Sequence, residues 1–484
     1  MSPRGSEGFL LSAVPGVDRA MAVIHLEGMT ETQRAPEGMS TKPRIKPADA
    51  GDRRPVSVSA RLGRLQFHQS GKFRVLQVAD IQDGPKVSKD TISLIAASLD
   101  TVRPDLVVFT GNQIAGYDAA FADTFRKRRW SDGAEAADGA RGDSSDDAMG
   151  HTRELVRGAI GQFLKPLIER GVPFAVTYGN HDFQCGLDVD ELDAMYGEFP
   201  GCLNPGGLAD PSIADDAADL ERSTASCAAL PEQRVFACAP GTFALPVSDL
   251  EHTRSVIGLV ILDSGDYARG GGFAGPDARA LEFLHRAPGL VGAPSMVFQH
   301  MPLPEYYGLL RAVPATTAFA MQGYRAHAGQ SYVLDEERTQ PGGYLGEGIS
   351  CPDASDEFTI LRGAASEDSA APVPSAYIGV AAGHDHRNGF VGTLDGIKLI
   401  ATPTCGFGSY GPAPAKRATR LIEFDIRHPD EPRTQLLEFG ELVGKPSSKK
   451  AYTYALNQKP PQDGEGDDLL RKPSLLSRLF GWLR

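Results

Sequence analysis

The chain has 484 residues, 41% hydrophobic and 23% charged, the profile of a globular protein with room for one large domain or two ordinary ones. Its formal net charge of -13 argues against a nucleic-acid or anionic-membrane surface as the main partner. An anionic substrate would have to be attracted locally, by metal or by a few cations.

The six cysteines (Cys185, Cys202, Cys227, Cys238, Cys351, Cys405) are scattered without a C-x-x-C pair. They read as reduced, buried thiols, with a disulfide as the alternative. The N-terminal apolar pieces are short and broken by Gly, Pro or charge. Neither a signal peptide nor a membrane span is expected, and the expected location is cytoplasmic.

In chain order, residues 1–68 lack periodicity and read as a flexible leader, with Met21, Met29 and Met39 as later candidate starts. From Phe73 the texture changes. "FRVLQVA" predicts a strand, and "SKDTISLIAASLDTV" a helix, with Ile92, Ile95, Leu99 and Val102 at helical spacing behind the cap candidate Ser88. "DLVVFTG" is the next strand, "TRELVRGAIGQFLKPLIERG" the next helix and "PFAVTYGN" the third strand. This β-α-β-α-β order with short turns predicts parallel pairing in an α/β layered fold. The acidic stretch 131–150 reads as a mobile insertion. Irregular stretches cover about 200–235 and 311–375, among the further strands "SVIGLVILDS", "SMVFQH", "SAYIGVAAG", "GIKLIATP" and "RLIEFDI". A polar tail spans 440–484, and its end places Leu475, Leu476, Leu479, Phe480 and Leu483 on one helical face beside Arg478 and Arg484. That end is expected to dock on protein or to make weak, reversible contact with a membrane surface.

Successive apolar runs stop at groups suited to a metal. The first ends at Asp80, with Gln82 expected on the same side by strand alternation. The second delivers Asn112, the third Asn180, His181 and Asp182, and later runs deliver His300, His384 and His386. A lone histidine after a strand is commonly a structural residue. Five such endings in a row, at the strand ends where α/β sheets bind ligands, point to a metal site for Mn, Fe or Zn rather than Ca.

The order of these motifs resembles that of calcineurin-like metallophosphoesterases. "LDSGDY" (262–267), "QHMPLPEY" (299–306), "GHDHRNGF" (383–390) and "GFGSYG" (406–411) resemble an intracellular branch related to purple acid phosphatases of fungi and plants. The resemblance covers residues 72–426. It implies an αββα sandwich of two mixed sheets flanked by helices, with a two-metal phosphoesterase site at the strand ends. Carried over by position, Asp80, Gln82 and His386 fall at the first metal, and Asn180, His300 and His384 at the second. Asn112 falls at the bridge. The resemblance implies that His181 takes the place of the residue that contacts the scissile phosphate and protonates the leaving group, with Asp182 orienting it. Ala115 stands where purple acid phosphatases have Tyr, so no purple colour is expected.

Gln82 stands where the family usually has His, and Asn112 where it has the bridging Asp. Two dications about 3.5 Å apart repel by roughly 20 kcal/mol at an effective dielectric of 20, and a neutral amide brings no charge against that. Asp83 and Asp118 are nearby candidates to supply it. The expectation is a phosphoesterase acting on monoesters or diesters of small molecules or proteins, with one firmly bound divalent transition metal and a second, weak one. The alternative is a non-catalytic phosphoryl-ligand-binding or scaffold protein.

Overall fold

The computed structural model describes residues 54–130, 143–206, 221–223, 227–363 and 376–447. The apolar runs read as strands are strands. β1 (Lys72–Val78), β2 (Leu106–Thr110) and β3 (Phe174–Thr177) pair in parallel, Val78 opposite Phe109 and Thr110 opposite Thr177. β4 (Glu221–Ser223), β5 (Arg234–Ala239), β6 (Thr242–Ser248) and β7 (Ser255–Leu262) follow as antiparallel neighbours, and β7 then pairs in parallel with β8 (Ser295–Gln299). β9 (Leu310–Val313), β10 (Met321–Gln322) and β11 (Ser331–Leu334) form a small separate sheet. The remaining strands are β12 (Tyr377–Ala382), β13 (Phe390–Leu394), β14 (Ile397–Ala401), β15 (Ala418–Asp425) and β16 (His428–Glu438). One main sheet has the order β16-β15-β1-β2-β3, the other β13-β14-β12-β8-β7-β6-β5-β4.

The two main sheets face each other. Phe73 and Val75 of β1, Val108 of β2 and Phe424 of β15 pack between them against Leu245, Leu259, Phe298 and Ile400 of the second sheet. The alternate residues Leu76, Val107 and Phe109 point the other way. They are covered by α2 (Lys89–Val102) and α3 (Asp143–Arg170) through Leu94, Leu99, Ile160 and Phe163. The helix Ala278–Val291 covers the outer face of the second sheet, with Phe283 and Leu284 against Val260 and Val297. Helix, sheet, sheet and helix give the expected αββα sandwich. A strand covered on both faces needs apolar residues throughout, which is why these strands read as continuous apolar runs. Ser88 caps α2 as expected, its side chain accepting the Asp90 N–H.

Residues 54–68 lie inside the stretch read as a leader, yet they carry α1 (Val58–Leu62), capped by Ser57. Leu65 and Phe67 are fully buried between the sheets, and Ser59 donates to the buried Asp105 carboxylate at 3.0 Å. Residues 143–150, read as part of the acidic insertion, form the first turns of α3. The rest of the leader (1–53), the rest of the insertion (131–142) and the tail with its amphipathic end (448–484) lie outside the described residues, as do 207–220, 224–226 and 364–375 within the irregular stretches. Among the described residues the six cysteines are all free and buried, and no helix is long and apolar enough to cross a membrane.

Candidate metal centre

The C-terminal ends of β1, β2, β3, β8 and β12 meet at one edge of the sandwich. β1 stops at Val78, so strand alternation does not set the directions of Asp80 and Gln82. Instead the chain turns through left-handed backbone at Asp80 (φ 50°), Gln82 (φ 43°), Asn112 (φ 53°) and His384 (φ 68°). Such conformations cost on the order of 1–3 kcal/mol each for non-glycine residues and persist where surrounding contacts fix them. Here Gln82 N–H donates to Asn112 O at 2.8 Å and His384 N–H to Asp80 Oδ2 at 2.9 Å. Glycines make room: a Cβ on Gly111 (φ 86°) would lie 2.5 Å from His300 Nδ1, and one on Gly179 would lie 2.3 Å from Asn112 Oδ1.

Hydrogen bonding fixes which imidazole nitrogens are bare. His300 Nδ1 donates to Thr110 O at 2.9 Å, leaving Nε2 unprotonated, 3.1 Å from Asn180 Oδ1 and 3.2 Å from His384 Nδ1. His386 Nδ1 donates to Tyr410 O at 2.7 Å, leaving Nε2 facing Asp80 Oδ1 at 3.3 Å. The buried Arg417 donates to Gly406 O and Ser409 O and so holds the "GFGSYG" loop that presents Tyr410 O. Asp80 Oδ1 and Gln82 Oε1 are buried acceptors with no hydrogen-bond partner among the described residues. Bare acceptors a few ångströms apart repel one another unless a cation lies among them. Both donor sets fit a divalent metal in their chemistry, although among the described residues no three His, Cys, Asp or Glu side chains form a ready-made cage.

The electrostatics agree with ligand-ready groups. Burial pushes the His300 and His384 imidazoles down and keeps them neutral, with neighbouring imidazoles adding to the effect. Burial raises the Asp80 carboxyl, but His386 and His300 outweigh it, and the group ends below its ordinary value.

The contacts alter three sequence expectations. Asn112 reaches the expected place, but its Oδ1 accepts the His181 N–H at 2.9 Å, and its Nδ2 therefore turns to Asn180 Oδ1 at 3.2 Å. An amide NH2 has no lone pair for a metal, so Asn112 does not fit a bridging ligand. Asp182 does not orient the His181 ring. Its carboxylate accepts the N–H groups of Asn112 (2.7 Å), Gly179 (2.7 Å) and Ile114 (2.9 Å), tying together the ends of β2 and β3. The ring is held by Gln184, whose Oε1 lies 2.7 Å from His181 Nδ1. Finally, Asp83 and Asp118 are engaged elsewhere. Asp83 accepts from Ser88 N and Thr91 Oγ1 at the start of α2, and Asp118 caps the turn at Ala120.

Residues without a motif also reach the site. Tyr117 accepts from Gln82 Nε2 at 3.0 Å, and Tyr267 accepts from Asn180 Nδ2 at 2.7 Å. Glu347 sits beside the His386 loop, its Oε1 accepting the Arg387 N–H at 3.0 Å. Only Tyr267 had a sequence signal, as the last residue of "LDSGDY".

No family model matches the chain. It is 22% identical to a protein of Arabidopsis thaliana named "Probable inactive purple acid phosphatase 29", over 77% of this chain and 82% of that one. It is 26% identical to "Phosphatase DCR2" of Saccharomyces cerevisiae, over 31% of this chain and 22% of that protein. The solved structure of PhoD aligns at a TM-score of 0.33 and 10% identity, over 79% of this chain and 73% of that one. The purple acid phosphatase-like resemblance read from the motifs is thus found again in its curated relatives.

Proposed function

From this kinship and these contacts, we propose that the chain is a metal-dependent phosphoesterase with a modified metal centre, hydrolysing phosphomonoesters or phosphodiesters. The observation that carries the reading is the gathering of potential ligand atoms at the strand ends, Asn180 Oδ1, His300 Nε2 and His384 on one side and Asp80 and His386 Nε2 on the other, together with Asp80 Oδ1 and Gln82 Oε1 as buried acceptors without a hydrogen-bond partner among the described residues. A bound Mn, Fe or Zn ion would polarise a phosphoryl oxygen and make a bound water acidic. Asn180, His300 and His384 would hold the firm ion. Asp80, Gln82 and His386 would hold a weaker one, because Asp80 alone is anionic and Asn112 contributes no charge.

His181 acts from beside these ligands. Burial holds its imidazole down to about 4, so the ring is neutral at neutral pH. With Nδ1–H directed to Gln184 Oε1, Nε2 is an acceptor. In this reading, with a phosphomonoester monoanion as substrate, Nε2 takes the P–OH proton and passes it to the leaving-group oxygen as the P–O bond breaks. The partner is a phosphorylated small molecule or protein. A cytoplasmic location belongs to the same proposal, supported by six free, buried cysteines.

The second reading is a non-catalytic phosphoryl-ligand-binding or scaffold protein, favoured by the Asn112 orientation and by the word "inactive" in the name of the Arabidopsis relative. Hydrolysis of an aryl phosphate in added Mn, alongside metal analysis, separates the two. Turnover abolished by chelation supports the enzyme, and firm metal without turnover supports the binding protein.

A further inference from the structure

Two tyrosines flank His181. The Tyr117 ring meets it edge-on at 4.9 Å between centroids and the Tyr267 ring at 6.3 Å. Each hydroxyl accepts a hydrogen bond from one of the two metal-side amides, Tyr117 from Gln82 Nε2 and Tyr267 from Asn180 Nδ2. The amide is the donor in both pairs, so the phenol's own proton is left for a different acceptor. Among the described residues neither hydroxyl donates to a protein acceptor. The Arg128 guanidinium lies over the Tyr267 ring, 3.7 Å from its centroid, and brings positive charge to this wall of a chain whose net charge is -13. Phe273 stacks on the Tyr267 ring at 5.5 Å and meets His384 edge-on at 4.5 Å, fixing the phenol against the site.

We propose that Tyr117 and Tyr267 are a phosphoryl-binding pair, each donating its hydroxyl proton to a non-bridging oxygen of a phosphate group seated against His181, with Arg128 adding charge. The two amides then have a double function. Their oxygens serve the metal side, and their nitrogens hold the phenol oxygens, leaving each phenol proton for the phosphate. The pair reads tetrahedral oxyanions and leaves the leaving group unspecified. This inference rests on the phosphoesterase reading of the same site.

The test uses the full-length protein loaded with manganese. Inorganic phosphate binding is measured by calorimetric titration, and manganese per chain by elemental analysis. Tyr117→Phe and Tyr267→Phe should each weaken phosphate binding roughly ten-fold, the scale of one hydrogen bond to a charged group, with manganese content unchanged. The double variant should lose roughly a hundred-fold. A double variant that binds phosphate as tightly as the natural protein overturns the pair and leaves the phosphoesterase reading standing. The same holds if the lost affinity tracks lost manganese, since the hydroxyls would then only brace the amides. Absence of phosphate binding by the natural protein overturns the pair, while the phosphoesterase reading is decided separately by chelation-sensitive turnover of the aryl phosphate.

Discussion

Asn112 Nδ2 donates to Asn180 Oδ1 across 3.2 Å, and this contact sets what the space between the two ligand groups can hold. A hydrogen-bond donor stands where a bridging carboxylate would stand, and the His181 N–H at 2.9 Å from Asn112 Oδ1 prevents the amide from turning round. After dialysis the protein should therefore keep about one transition metal per chain. His300→Ala should release it, while Gln82→Ala should leave it in place. Elemental analysis of the three proteins checks this, and two firmly held metals in the natural chain would contradict it.

The neutral state of His181 gives a pH signature. With its imidazole at about 4, held down by burial first and by His300 and His386 next, Nε2 can accept a proton only above that pH. The monoester must carry the proton, and its second ionisation lies near pH 6. For a monoester, kcat/KM should rise as pH increases through about 4 and fall beyond about 6. His181→Ala should lower turnover by roughly 10²–10⁴-fold and erase the acid-side rise, with metal content unchanged. Loss of metal in that variant would make His181 a ligand.

The strands, the αββα layering and the residues at the strand ends were legible because each rests on a local pattern. Apolar runs covered on both faces end at polar side chains, and Ser88 is a cap by its position before a periodic helix. The detailed geometry was not legible, because it depends on contacts between distant segments. Nothing near residue 112 announces that the His181 N–H will orient its amide, and nothing near 182 announces three backbone donors. Glu347 reaches the His386 loop from an irregular stretch, where no periodicity marks it. Residues 54–68 looked disordered by composition, but a short segment with Leu65 and Phe67 needs only two buried anchors to be ordered.

Glu357 offers a test away from the site. Its carboxyl is fully buried, among the described residues its hydrogen-bond partner is Gln299 Nε2 at 3.4 Å from Oε2, and burial pushes it up to about 8. A carboxyl raised in the fold keeps its proton there after the unfolded chain has lost its own near 4.5. Between those values the native state binds more protons, so its contribution to stability is full below about 4.5 and is lost as pH rises towards 8. Glu357→Gln keeps the shape and does not titrate. Its stability relative to the natural protein should grow by about 1.4 kcal/mol per pH unit across that window. Asp182 and Asp193, raised to about 6 by burial, act in the same direction in both proteins and cancel in the difference. Urea unfolding at several pH values measures it, and a difference that does not change with pH would show that Glu357 is not held neutral.

The proposed modified metal centre makes a rebuilding test possible. Asn112→Asp keeps an oxygen for the His181 N–H, but replaces the Nδ2 that now donates to Asn180 Oδ1 with a second oxygen. Two oxygens roughly 3 Å apart with no proton between them repel one another, so without metal the variant should melt at a lower temperature than the natural protein. With manganese the order should reverse, because the new carboxylate places negative charge between the two cation positions, where repulsion of roughly 20 kcal/mol at an effective dielectric of 20 would otherwise act. Gln82→His exchanges a weak amide ligand for imidazole at φ 43°. The double variant should hold a second metal after dialysis and hydrolyse phosphate esters faster. Asn112→Asp alone should give most of both gains, since charge outweighs donor strength. A double variant with unchanged metal content and rate, and with no manganese-dependent rise in melting temperature, would mean that Asp80, Gln82 and Asn112 form a site that works as it stands.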